Sequence, residues 1–347
     1  MTEIVSKLAD LTALRDRQSL DTALVDTLDE LVRPDSVAIH RLVGIPGNER
    51  WLTGASKFAG MAQPLTNQAW AELEDLPKAD DYPMRQHAVV VQKPILAKKA
   101  SEVSIFPLTT HAGGTAVMEV VTDAPLAAEM VMLITGVMRL YQNFQGLLDY
   151  GERDALTELL NRKTFDGAFL KATTTQEEAQ ERIPADRRHD DGAENGQGSF
   201  WLAMLDIDHF KRVNDNFGHL IGDEVLLLLA RLMRSTFRFH DQLYRFGGEE
   251  FVVLMRCATP AEAKAALERL RFNTETHLFP QVGHITVSIG VTEIRRGDSP
   301  SGAMERADKG VYYAKEHGRN QVCCFEDLIA EGKLVLEPVN EGDIELF

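Results

Sequence analysis

Residues 200–226 read FWLAMLDIDHFKRVNDNFGHLIGDEVL, and residues 245–251 read RFGGEEF. The first stretch is apolar from Phe200 to Leu205 and then meets Asp206 and Asp208. A run that short and that apolar reads as a buried strand, spanning 200–208. Carboxylates at the end of a buried strand are costly unless they bind something. Mg²⁺ prefers carboxylates together with substrate phosphate oxygens. The second stretch puts Gly247 and Gly248 between apolar runs, which reads as two strands around a tight turn over 244–255. Glu249 and Glu250 stand side by side in that turn and repel each other unless a cation is near. Alone, the turn is an ordinary hairpin with exposed acids. Beside the Asp206 strand, it reads as the second half of a metal site.

Outward from these strands the pattern alternates. DALTELLNRKTFDGAFLKA reads as a helix, residues 174–199 as a polar surface insertion, and about 218–238 as a helix. AEAKAALERLRFNTETH reads as a helix, 284–294 as a strand, SGAMERADKGVYYAKEHG as a helix with Gly318 as its C-cap, and NQVCCF as a last strand. Alternating strands and helices predict an α/β (α+β) domain, a central sheet surrounded by helices. An acidic tail follows from 326.

Two further clusters bear on chemistry. Lys315 and Arg319 are four residues apart near a helix end, on one face, where both can reach one triphosphate. Cations also gather at helix C-termini for dipole reasons alone. Asn214 and Asp223 together offer the donors and acceptors that the edge of guanine requires, although each alone suits a cap or a turn.

The blocks DALTELLNR, LDIDHFKRVNDNFGHLIGDEVL, RFGGEEF, VSIG and ADKGVYYAKEHGRN occur in that order. Together they resemble a GGDEF-family diguanylate cyclase domain, over residues 151–325. The resemblance implies a diguanylate cyclase that condenses two GTP into cyclic di-GMP, with Mg²⁺ (or Mn²⁺) as cofactor. It implies metal ligation by Asp206, Glu249 and the Ile207 carbonyl. The backbone near Phe210 and Lys211 would cradle phosphates, and Lys211, Lys315 and Arg319 would neutralise them. Asn214 and Asp223 would read guanine, and Gly248 would let the nucleotide lie against the hairpin. Glu249 or Glu250 would take the proton of the attacking ribose hydroxyl. One GTP per domain implies a homodimer. Arg238-Phe-His-Asp241 ends six residues before Gly247 and resembles the family's inhibitory product site, with Arg269 as its second arginine. One departure from the family pattern is Glu158, which stands where a glycine is usual.

The first part of the chain is read as a separate domain, 1–124, joined through a helix at 125–150. A helix is expected over 1–30, from Leu8, Leu11, Leu14, Leu20, Leu24 and Leu28, stopped by Pro34. Strands are expected at 36–44, 87–96, 103–110 and 115–122, with loops and short helices over 53–86. That order resembles a GAF domain, with PAS the weaker likeness, and implies a sensor for an unknown ligand or partner. His40, His87 and His111 read as ordinary core or surface residues. In the 125–150 helix, Leu126, Met130, Leu133, Val137, Leu140, Phe144 and Leu147 form a heptad seam, suited either to a partner helix or to its own domain.

A net charge of −16 over 347 residues argues against a general nucleic-acid binder. Three cysteines, Cys257, Cys323 and Cys324, lack zinc spacing. No stretch is long and apolar enough for a membrane span and no leader pattern opens the chain, so a cytoplasmic protein is expected.

Overall fold

The computed structural model describes residues 13–14, 16–66, 73–96, 102–109, 114–181 and 198–334. The chain divides into two compact units, Met1–Arg153 and Asp154–Phe347.

In the first unit, α1 (Arg17–Val32) begins where the Asp16 side chain accepts the Ser19 N–H at 3.0 Å. The helix expected over 1–30 is thus described only from Arg17. Next come β1 (Ser36–Val43), β2 (Arg50–Phe58), β3 (Leu65–Thr66), α2 (Pro83–Val91), β4 (Glu102–Thr109), β5 (Thr115–Thr122) and α3 (Ala128–Glu152). The strands form one antiparallel sheet in the order β3-β2-β1-β5-β4. Alternation gives the sheet two apolar faces. Val37, Ile39, Phe106 and Met118 pack with Leu24 and Leu28 of α1 and with Val137 and Tyr141 of α3. Trp51, Ile105 and Val117 pack with Ala79 and with Ala88 of α2. Asp21 accepts from both Arg41 (2.6 Å) and Tyr141, which locks α1, β1 and α3 into one polar knot.

Two expectations fail here. The first half of the segment 87–96 is helix, not strand, and only Ile95 bridges to Ile105: Pro83 opens α2, and the side chains of Arg85 and Ala88 are buried against the sheet. Its β-branched HAVVV run carried strand propensity, and packing overrode it. Residues 53–58 are strand rather than loop, because β2 pairs along β1 from Ser36 to Val43. In α3 the buried face is Ile134, Val137, Met138, Tyr141 and Gln145. The heptad positions Met130, Leu133 and Phe144 pack half-buried on the same core, while Leu147 is 65% exposed.

In the second unit the elements are β6 (Leu160–Asn161), α4 (Arg162–Glu181), β7 (Ser199–Ile207), α5 (Phe210–Phe217), α6 (His219–Thr236), β8 (Gln242–Gly247), β9 (Glu250–Cys257), α7 (Pro260–Thr276), β10 (Val287–Glu293), α8 (Pro300–Glu316), β11 (Val322–Cys324) and α9 (Phe325–Ala330). The sheet order is β11-β10-β7-β9-β8-β6, with β7 central and antiparallel to both neighbours. Ala203, Leu205 and Ile207 of β7 pack with Val225 and Leu229 of α6 and Leu267 of α7. By alternation Met204 and Asp206 face the opposite side, where α8 lies.

Three readings change in this unit. Residues 154–161 are not helical: Asp154 Oδ1 accepts the Thr157 N–H at 2.8 Å, forming a turn, and Glu158 is left-handed at φ 57°. That backbone explains why glycine suits position 158. Of the polar stretch at 174–199, residues 174–181 are helix, since α4 continues to Glu181, Ser199 begins β7, and residues 182–197 lie outside the described residues. The short helix α5 is absent from the elements expected above, although its Phe210, Val213 and Phe217 fall at helical spacing.

Candidate functional site

The site is assembled at the C-terminal end of β7. Asp206 faces Glu250 across the β7–β9 register. Glu249 lies in the β8–β9 turn, close enough for Asp206 to push its carboxyl above the ordinary range, after burial, the larger cause. Burial likewise raises the Asp206 pKa, reinforced by Asp208 and Asp308 and opposed by Lys315. Lys315 Nζ, near the end of α8, stands 2.8 Å from Asp206 Oδ1 as an ion pair, yet that buried oxygen accepts no well-directed hydrogen bond. An acidic pair raised above its usual range and an under-bonded buried oxygen fit a hard divalent cation. Among the described residues no group of three or more His, Cys, Asp or Glu side chains forms a cage. Mg²⁺ does not require one, because water and substrate phosphates complete its shell.

Asp208 plays another part. Its carboxylate accepts from Thr286 Oγ1 (2.6 Å), Ser288 Oγ (2.7 Å) and the Asn320 N–H (3.1 Å). It is fully employed in holding the turn after α8, so the open carboxylate on β7 is Asp206.

The hairpin is tethered from behind. Arg245 donates to the Gly248 carbonyl through Nε (3.1 Å) and Nη2 (2.9 Å), and to Asp154 Oδ1 through Nη1 (3.0 Å). Gly248 is left-handed at φ 47°. A side chain there would be strained, and the glycine leaves the turn's outer face open to a ligand. The sequence reading missed Arg245 and Asp154 as site-shaping residues. Only their places, two residues before Gly247 and at the start of the unit, hinted at a link.

After Asp208 the chain turns left-handed at His209 (φ 61°) and enters α5. Phe210 and Lys211 therefore form a helix first turn, whose N–H groups lack intrahelical acceptors and suit anions. The α5 and α6 helices meet at Gly222, where an added Cβ would lie 2.0 Å from Asn214 Oδ1 and 3.3 Å from Phe210 Cζ. This close approach sets Asn214 against the residue preceding Asp223. Asn214 is half-buried and Asp223 exposed.

The expected product site gathers at the end of α6. The Arg238 N–H donates to Asp241 Oδ2 at 2.8 Å, and Arg269 Nη2 of α7 donates to the Thr236 carbonyl at 2.8 Å. Arg238 is exposed, but the Asp241 side chain is only 6% exposed and turns inward on the backbone.

A cleft of about 610 Å³ lies beside the metal residues, lined by Phe165, Met204, Phe246, Glu250 and Asp308 among others. Asp166 and Glu305 add to its acids and Arg162 is its one lining cation, so it repels a triphosphate.

Fold and site thus define a mixed α/β domain in which the carboxylates of Asp206 and Glu249 stand beside a glycine hairpin. Residues 186–321, within the second unit, match the family described as "Diguanylate cyclase, GGDEF domain". The chain is 42% identical over 172 residues to the diguanylate cyclase DgcP of Pseudomonas aeruginosa, an alignment covering 49% of this chain and 23% of DgcP. It is 44% identical over 125 residues to the response regulator PleD of Caulobacter vibrioides, covering 34% of this chain and 28% of PleD. The chain therefore spans under a third of the length of either relative. Among solved structures, the coiled coil and GGDEF domain of DgcB from Caulobacter crescentus, in complex with c-di-GMP, is 29% identical with a TM-score of 0.47, covering 57% of this chain and 97% of that one.

Proposed function

We propose that this protein is a diguanylate cyclase that condenses two GTP into cyclic di-GMP and releases two pyrophosphates. The observation that carries the reading is the Asp206–Glu249 pair with Lys315 at its edge, set against a glycine hairpin in a GGDEF domain. In each transfer the 3′-oxygen of one GTP bonds to the α-phosphorus of the other. The α–β bridging P–O bond breaks, and pyrophosphate leaves with the electron pair. Glu249 or Glu250 accepts the hydroxyl proton. Lys211, Lys315 and Arg319 neutralise the departing charge, and Asn214 and Asp223 orient the base. Asp206, Glu249 and the Ile207 carbonyl would hold Mg²⁺ or Mn²⁺, which supplies Lewis acidity at the reacting phosphate.

One site per chain and a symmetric product require two copies facing each other. Met132 and Leu147, exposed on α3, offer apolar surface for such a homodimer. Arg238, Asp241 and Arg269, clustered at the end of α6, support an inhibitory product site. The first unit we read as a GAF-like sensor for a ligand or partner, supported by its antiparallel sheet with helices packed on both faces. Among the described residues no helix is long and apolar enough to cross a membrane.

The test is incubation with GTP and Mg²⁺ followed by chromatography of the nucleotides. Wild type should form cyclic di-GMP, and Glu249→Ala or Asp206→Ala should lose a hundredfold or more, since each removes metal ligation worth several kcal/mol. No product from a dimeric wild type stripped of bound nucleotide would overturn the reading.

A further inference from the structure

We propose that Arg271, on α7, is a positioning residue that aims Arg319 at the terminal phosphates of GTP by clamping Asn320. The inference rests on the nucleotide reading of the site given above.

Arg319 and Asn320 are consecutive left-handed residues, at φ 63° and 45°, directly after the left-handed Gly318 at φ 108°. Non-glycine residues hold that conformation only when their surroundings fix it. Here the fixing falls on Asn320, which bonds through three groups. Its Oδ1 accepts from Arg271 Nη1 at 2.9 Å, its Nδ2 donates to Glu275 Oε1 at 2.8 Å, and its N–H donates to Asp208 Oδ2 at 3.1 Å. Arg271 is itself held before it reaches Asn320. Its Nε donates to Glu268 at 2.6 Å and its Nη1 to Glu275 at 2.8 Å, so two carboxylates on its own helix fix the guanidinium plane. The Arg319 side chain, by contrast, is exposed and has no hydrogen bond or ion pair among the described residues.

The clamp therefore stops one residue short of the cation it serves. With Arg271 removed, Asn320 Oδ1 loses its charged donor and Glu275 its counter-charge. The turn can then relax toward right-handed backbone, which rotates Arg319 off its line. Lys315 sits inside α8 and pairs directly with Asp206, so it does not depend on this clamp.

Binding of 3′-deoxy-GTP and 3′-deoxy-GMP to the full chain, measured by calorimetry with Mg²⁺, tests the proposal. Neither ligand can react, because the attacking hydroxyl is missing. Arg271→Ala should weaken 3′-deoxy-GTP on the order of tenfold, the scale of one charge-assisted hydrogen bond. It should leave 3′-deoxy-GMP within about twofold. The double variant Arg271→Ala/Arg319→Ala should bind no more weakly than Arg319→Ala alone. Arg271→Lys is the second variant should the alanine form fail to fold. Its single Nζ cannot serve Glu268, Glu275 and Asn320 together, so the same split between the two ligands is expected. Equal losses for both ligands, or additive losses in the double variant, would show a structural role only and overturn the proposal. A wild type that binds neither ligand would instead sink the cyclase reading itself.

Discussion

At the scale of single residues, the sequence nominates candidate side chains, and the structure separates the environments they occupy. Asp206 and Asp208 look equivalent at the end of the apolar run, yet Asp208 accepts three hydrogen bonds while one Asp206 oxygen lacks any of good direction. Only long-range partners at Thr286, Ser288 and Asn320 separate them, and no local pattern encodes those partners. Glu158 is the reverse case, where a departure in sequence turns out to be a strained backbone at φ 57°. Glu158→Gly should raise stability by about 1 kcal/mol, because glycine adopts that conformation without a Cβ penalty. Thermal melts of the two proteins check this, and an unchanged or lower midpoint refutes it. His40 offers a pH prediction. Burial, then Arg85, lowers its pKa from 6.5 to about 3 in the folded state. Above pH 6.5 the ring is neutral in both states and its stabilisation is intact. As pH falls from 6.5 toward 3 the unfolded chain binds a proton that the folded chain refuses. The first unit should therefore lose up to about 1.4 kcal/mol per pH unit in that window. Melts of wild type and His40→Asn at pH 7 and 5 test this, the variant showing the shallower slope.

At the scale of elements, the α5–α6 corner carries the sharpest constraint. Gly222 permits the approach that places Asn214, since an added Cβ would lie 2.0 Å from its Oδ1. Gly222→Ala should still fold, because a side-chain end can swing aside, at a cost of about 1–3 kcal/mol. Moving Asn214 should raise KM for GTP on the order of tenfold and erode selection of GTP over ATP. An unchanged KM would mean that Asn214 does not touch the base. The hairpin is held in a similar way from outside its own strands. Arg245 joins Gly248 to Asp154, so Asp154→Ala should lower kcat more than it raises KM, by loosening Glu249 without removing it. Steady-state kinetics decide it, and a pure KM effect would place Asp154 outside catalysis.

At the scale of the whole molecule, the proposed reaction joins two nucleotides, one held by each copy, so the rate is expected to depend on assembly. Specific activity should rise with protein concentration and level off once dimers dominate. Dilution assays combined with light scattering test this, and activity independent of concentration in a monomeric sample would refute the dimer requirement. Arg238→Ala should give more product late in the reaction if the end of α6 binds cyclic di-GMP.

The amino-acid order alone was enough for the alternation of strands and helices after Asp154 and for the order of the candidate nucleotide and metal residues. Both rest on short apolar runs and on fixed spacings along one chain. It misread α2 as a strand and β2 as a loop, where β-branched propensity competed with packing onto the sheet. It could not separate Asp206 from Asp208, nor find Arg245, Asn320 and Arg271. Those roles arise when strand ends, a hairpin and two helix termini meet at one corner of the sheet. Local propensity carries no record of such contacts, because their partners lie tens of residues away and are chosen only when the core closes.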